Sequence, residues 1–315
     1  MRPETPRTPD AALLALARAL QAAGYRFTTV TPATHDRVNR RPGNQWAIEP
    51  SGIFGWSRPF RVEQLAPEWL VLMRQAEVLE RYQDGWLSRV RFSSLGRQLF
   101  VHSAYPTAET DAVFFGPDTY RFAQAIQAHL AGRHGALRRA ADIGCGAGPG
   151  AVLIAQAQPT AEVLALDINP QALRFTRLNA ELAGVAGVQA RHSDLLSAVE
   201  GDFDLIVANP PYMADPAQRA YRDGGGELGA GLSRAIVEAA LPRLAPGGSL
   251  LLYTGVAIVA GRDLFRQAIA AQLDASGWRW TYREVDPDVF GEELQEPAYG
   301  QAERIAAVVL EVKRP

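Results

Sequence analysis

From about residue 111 onward, short apolar runs alternate with longer amphipathic stretches. The runs RRAADIG, AEVLALD, VQARHSD, FDLIVAN and GGSLLLYTG have strand length and end in Gly, Asp or Asn. Between them, PQALRFTRLNAELAG and LSRAIVEAALPRLAPGG place apolar residues at helical spacing. This alternation predicts a doubly wound, mostly parallel sheet with helices on both faces. The closing segments GWRWTYREV and ERIAAVVLEVKR add two strands at one end, for seven in all.

The front of the chain follows another pattern. A Pro-rich start reads as a loose tail, and DAALLALARALQAAG as a helix with Asp10 as N-cap and Gly24 as its stop. TPATHDRVNRRPG is a short helix capped by Thr31 and opened by Pro32. A loop rich in Gly, Pro and Trp follows around 42–60. PEWLVLMRQAEVLERYQDG reads as one further helix, and WLSRVRFSSLGRQLFVHSA as two strands turning at Ser94-Leu95-Gly96. Helices followed by a hairpin predict a small N-terminal helical domain of winged-helix type over 1–103, for substrate recognition. The α/β domain is expected over 111–315. The tryptophans at 46, 56, 69 and 86 could line a recognition groove of the smaller domain, although such residues more often make its core.

Composition narrows the class. At 315 residues the chain accommodates two domains, and 47% hydrophobic with 21% charged residues is a globular balance. No apolar run reaches the length of a membrane span, and the start lacks a secretory apolar stretch, so a cytoplasmic protein without membrane contact is expected. One cysteine and five histidines offer no metal-ligand spacing. Residues 1–100 hold 14 Arg against 9 acidic residues, and the remainder 18 basic against 25 acidic. A mildly basic front leaves an acidic partner open.

The chemistry-bearing residues lie at the strand ends. In ADIGCGAGPG, Asp142 ends a strand, and Gly144, Gly146 and Gly148 let the backbone turn tightly and approach a ligand. Such a turn also fits dinucleotide folds. Asp167 ends the next strand, where a carboxylate accepts hydrogen bonds from ribose hydroxyls of nicotinamide and adenosine ligands alike. Asp194 ends the third strand, where it can take an adenine amino group while Leu195 offers its N–H to the ring. The fourth strand leaves through IVANPPYM. There Pro210 and Pro211 fix the backbone so that the Asn209 side-chain oxygen and the Pro210 carbonyl converge on one point. Two convergent acceptors suit an NH₂ group, and Tyr212 offers a flat face for a planar amide or base. YRDGGGELGAG, residues 221–231, reads as a mobile loop over that site. Cys145 reads as a packing residue, and His129 and His134 as a solvated face.

DIGCGAG, Asp167, Asp194 and NPPY, in this order, resemble the class I S-adenosylmethionine-dependent methyltransferases that methylate amino groups. The resemblance covers 111–315. It implies S-adenosylmethionine as cofactor, with Asp142, Gly144, Gly146 and Gly148 around its methionine part. Asp167 and Ile168 would meet the ribose side, Asp194 and Leu195 the adenine, and Asn209, Pro210 and Tyr212 the target nitrogen. The small front domain makes the chain similar to the protein-glutamine methyltransferases that act on release factors. Those carry Pro-Arg-Pro-(Glu/Asp)-Thr-Glu ahead of the catalytic domain and tend to end the fifth strand in Leu-Leu-Leu-Glu. This chain has Gly116-Pro117-Asp118-Thr119-Tyr120, which keeps Pro117 and Thr119 as candidate substrate contacts, and Leu250-Leu251-Leu252-Tyr253. The activity so implied is N-methylation of a protein glutamine. The residues leave open an exocyclic amino group of RNA or DNA, a small-molecule amine, or a nicotinamide-dependent enzyme.

Overall fold

Alternate residues of each central strand face opposite sides of one sheet, and each side has its own core. The structure, a computed structural model, describes residues 8–107, 109–133, 135–215, 219 and 221–315. It divides into two units, residues 1–117 with 178–184 and residues 118–177 with 185–315.

The first unit begins with α1 (Pro9–Ala22), whose N-cap is Thr8. The expected cap Asp10 sits inside the first turn: Pro9 takes the first helical position, and the Thr8 hydroxyl accepts from the Ala11 N–H. The expected loose tail lies largely outside the described residues. Thr31 caps α2 (Pro32–Asn39) as expected, and α3 (Pro50–Phe54) forms within the Gly/Pro/Trp-rich loop. The long third helix is shorter than its pattern. α4 ends at Gln75 (Pro67–Gln75), Glu77 adopts a left-handed φ of 59°, and the chain turns into β1 (Leu79–Tyr82) and β2 (Gly85–Ser88). Gln83-Asp84-Gly85 is hairpin turn chemistry, and it overrides the helical spacing upstream. β3 (Val90–Leu95) and β4 (Gln98–Ser103) form a second antiparallel pair, turning at Gly96 as expected.

Beyond β4, α5 (Pro117–Gly132) precedes β5 (Arg139–Ile143), α6 (Pro149–Ala157), β6 (Glu162–Asp167), α7 (Pro170–Leu182), β7 (Val188–His192) and β8 (Phe203–Ala208). Then come α8 (Gly231–Ala240), β9 (Leu244–Val259), β10 (Arg262–Asp263), α9 (Leu264–Ser276), β11 (Arg279–Asp286) and β12 (Arg304–Lys313). The strand order is β11-β12-β9-β8-β5-β6-β7, with the two-residue β10 paired to β9. β5 through β9 run parallel, and β12 and β11 close the edge antiparallel. The doubly wound reading and the two added strands both hold. Chain order reverses at β5, which lies between β6 and β8, so the ligand crevice falls at its carboxyl end.

The two cores follow the period-2 pattern. Ala140, Val163, Ala165, Leu205, Val207 and Leu251 pack with Phe122 and Ile126 of α5 and with Ala151 and Ile154 of α6. Ala141, Leu164, Leu166, Ile206, Leu250 and Leu252 pack with Ile236 and Val237 of α8 and with Phe265 and Ile269 of α9. Parallel strands buried on both faces read as continuous apolar runs, which is why these were visible in the sequence.

Asn179 has no exposure, and its amide closes both backbone groups of Val101, accepting from the N–H at 2.8 Å and donating to the carbonyl at 2.9 Å. Asn179→Ala orphans both groups, so it is expected to destabilise the protein by about 3 kcal/mol in urea unfolding.

Candidate active site

The strands of the second unit end level with one another. Ile143 pairs with Leu166 on one side and with Ala208 on the other, and Asp167 pairs with His192. Gly144, Asp167 and Asn209 therefore leave the sheet along one edge, and Asp194 follows β7 two residues beyond its end.

The Gly-rich turn from β5 into α6 holds Gly144, Gly146 and Gly148 at φ of 67°, 55° and 80°, the left-handed region. Two of its glycines serve packing: a Cβ on Gly148 would meet Thr176 of α7 at 2.9 Å, and one on Gly150 would meet the Asp142 carboxylate at 2.6 Å. Gly144 is different, because a Cβ there would point into open space. Asp142 lies beneath the turn, its carboxylate accepting from the Ala151 N–H at 2.8 Å. Burial pushes its pKa up to about 7, helped by the neighbouring Asp167 charge and opposed by the Ala151 bond. Cys145 is buried against the Thr176 hydroxyl at 3.4 Å, and burial raises its thiol well above the usual range, so it packs and does not react.

Asp167 accepts from the Gly146 N–H at 3.0 Å and from the Asn169 N–H at 2.9 Å, and burial raises its pKa against those bonds. Ile168 beside it is 53% exposed, a large apolar side chain standing open at the strand end. Asp194 is exposed, and Leu195 adopts a φ of 49° that non-glycine residues seldom take. An open position at Gly144, a carboxylate braced by the turn and an apolar surface beside it fit a nucleoside with a charged tail.

Asn209 is half-buried, and its side chain has no hydrogen-bond partner among the described residues. Pro210 after it is buried. Tyr212 differs from an open stacking plate: it is 6% exposed, its ring lies against Gly255 of β9, and its phenol donates to Asp118 at 2.6 Å. Tyr253 donates to the other Asp118 oxygen at 2.7 Å. The same carboxylate meets Arg121 at 3.3 Å, and the second arm of Arg121 reaches Asp286 at 2.5 Å. Burial raises the Asp118 pKa while the two phenols and Arg121 hold it down; both tyrosines are raised, first by burial and then by the Asp118 charge.

The glycine-rich segment 221–231 does not hang over the site as an independent lid. Met213 and Arg222 share a backbone bond of 3.0 Å, Gly224 returns one to Met213 at 2.8 Å, and Leu232 donates to the Gly224 carbonyl at 2.7 Å. A Cβ on Gly224 or Gly229 would strike the backbone of Tyr212, so these glycines permit backbone-on-backbone packing. The segment braces the loop after β8.

Of the remaining candidates, Pro117 opens α5 and Thr119 is buried in its first turn. His129 is not solvated: its side chain is buried, and Nδ1 meets Glu311 of β12 at 3.0 Å. His134 lies outside the described residues. Asp118, Arg121 and Gly255 were not read as site residues, although Asp118 stands inside the retained Pro-Asp-Thr and Tyr253 at the altered end of LLLY.

The methyltransferase small domain family matches residues 119–257. The release factor glutamine methyltransferase of Deinococcus radiodurans is 38% identical over 165 residues, which is 49% of this chain and 55% of that protein. The 4-amino-L-phenylalanine/4-methylamino-L-phenylalanine methyltransferase of Streptomyces pristinaespiralis is 34% identical over 156 residues, 45% of this chain and 50% of that one. The chain spans about half the length of the curated relatives it matches. Among solved structures, Trm5b from Pyrococcus abyssi superposes with a TM-score of 0.50 at 16% identity, covering 85% of this chain and 72% of that one, a likeness of fold. Among the described residues no helix is long and apolar enough to cross a membrane.

Two expected outcomes test the site. Gly255→Ala must displace the Tyr212 ring, which is expected to cost about 1–3 kcal/mol in thermal or urea unfolding. For Asp142 the folded pKa lies above the unfolded one, so its stabilising contribution is complete below about pH 4 and lost as pH rises through about 7. The melting temperature of Asp142→Asn relative to wild type should therefore climb between pH 4 and 7 and then level off.

Proposed function

We propose that the protein is an S-adenosylmethionine-dependent N-methyltransferase acting on a glutamine side-chain amide of a protein. The observation that carries the reading is Asn209: a carboxamide without a partner among the described residues, at the end of β8, one strand from the Gly-rich turn. The methyltransferase small domain match over 119–257 and the release factor glutamine methyltransferase relatives support the reaction and the acceptor class.

Asp142 and the turn at Gly144, Gly146 and Gly148 hold the methionine part of the cofactor. Asp167 receives the ribose hydroxyls, Ile168 covers an apolar face, and Asp194 with the Leu195 N–H reads the adenine edge. Bound there, S-adenosylmethionine supplies an electrophilic methyl group on a positively charged sulfur. An amide nitrogen is a poor nucleophile because its lone pair is delocalised into the carbonyl. The Asn209 side-chain oxygen and the Pro210 carbonyl accept its two N–H groups, so the lone pair is aimed rather than left to rotate. The N–CH₃ bond would form as the S–CH₃ bond breaks to leave S-adenosylhomocysteine, and the nitrogen would then lose a proton to solvent, so orientation and preorganised electrostatics suffice and no strong base is required. Pro117 and Thr119 are proposed acceptor contacts. Residues 1–103 are proposed to recognise the acceptor protein, and the protein is proposed to work in the cytoplasm.

Asn209→Ala should lower turnover about 100-fold while leaving affinity for S-adenosylhomocysteine within twofold, as calorimetry would show. Equal losses in both would assign Asn209 to structure. Treating a host lysate with enzyme and isotopically labelled donor, followed by mass spectrometry, identifies the acceptor. Label on protein glutamine supports the reading. Label confined to nucleic acid or to free amines overturns the acceptor.

A further inference from the structure

Asp118 of α5 accepts from Tyr253 of β9 at 2.7 Å and from Tyr212 of NPPY at 2.6 Å. We propose that Asp118 and Tyr253 are matched positioning residues that hold Tyr212, and through it the Asn209-Pro210 corner, in the geometry for methyl transfer. This inference rests on the N-methyltransferase reading above.

Asp118 is 5% exposed and its carboxylate takes donors on both oxygens: Tyr212 on Oδ2, Tyr253 and Arg121 on Oδ1. A buried carboxylate without donors is costly, so the donors are held in place as firmly as they hold it. Its position in the first turn of α5 adds the favourable end of the helix dipole. Arg121 is in turn fixed by Asp286 at the end of β11. Tyr212 is thereby pinned at its phenol by Asp118, while its ring lies on Gly255 and its backbone is braced by Gly224 and Gly229. Three residues earlier, Asn209 emerges from β8 with rigid prolines between. Releasing the phenol frees the whole corner, and a displacement of about 1 Å at a reacting group can cost up to 100-fold in rate.

Tyr253→Phe is the informative variant, because Asp118 keeps Arg121 beside its charge and the chain should still fold, while the carboxylate, having lost one of its two phenols, is free to turn and no longer fixes Tyr212. Labelled methyl transfer to lysate protein should fall about tenfold at saturating donor, with the donor KM and the S-adenosylhomocysteine affinity within twofold. Asp118→Asn should fall similarly, and the double variant no further than the worse single one. Unchanged transfer in Tyr253→Phe, or a matching loss of cofactor affinity, overturns the proposal. Should wild type transfer nothing to protein, the acceptor reading fails, and proton NMR of the tyrosine hydroxyls then judges the clamp. A downfield phenol signal lost in Tyr253→Phe, and a second one shifted there and lost in Tyr212→Phe, support it, and a wild type without either signal overturns it.

Discussion

A carboxylate buried beside the sheet has to find donors, and in this protein that requirement organises the segment after β8. Asp118 recruits two phenols and a guanidinium from α5, β9 and NPPY. Once Tyr212 is tied there, its ring must lie against β9, which only a glycine at 255 permits. The loop behind it must come close to the Tyr212 backbone, which needs Gly224 and Gly229. The glycines of the NPPY neighbourhood are thus consequences of one buried charge. They make a stiff corner, where composition alone suggests a flexible one.

The same edge supplies a binding row. Adjacent strands lie about 4.8 Å apart, so the ends of β8, β5, β6 and β7 present Asn209, the Gly-rich turn, Asp167 and Asp194 in spatial sequence. Acceptors thus stand at one end of the row and the groups proposed for nucleoside recognition at the other. Asp142, below the turn, shapes it through its bond to Ala151, and burial raises its pKa.

Much of this was legible in the residues. Strands buried on both faces leave uninterrupted apolar runs, and β5, β6, β8, β9 and β12 were visible that way; β7 and β11, largely exposed, were visible from their place in the alternation. Strand-end chemistry was visible because Gly, Asp and Asn there have little structural reason to follow apolar runs. What stayed hidden depends on long-range contact. Leu79–Tyr82 carries helical spacing, and only the turn at Gln83-Asp84-Gly85 makes it a strand. The 221–231 glycines read as hinges because a sequence cannot say what lies within reach of a missing Cβ. Asp118 was visible only as the middle of Pro-Asp-Thr, 94 residues from Tyr212 and 135 from Tyr253. His129 read as solvated for the same reason, being paired with Glu311 at a separation of 182.

The most direct test of the whole account is a structure of the protein with S-adenosylhomocysteine. The account predicts adenine beside Asp194 and Leu195, ribose hydroxyls on Asp167, and the sulfur turned toward Asn209, with the Tyr212 phenol still on Asp118. A sulfur directed away from Asn209, or a ligand seated elsewhere than the carboxyl ends of β5 to β8, would contradict it.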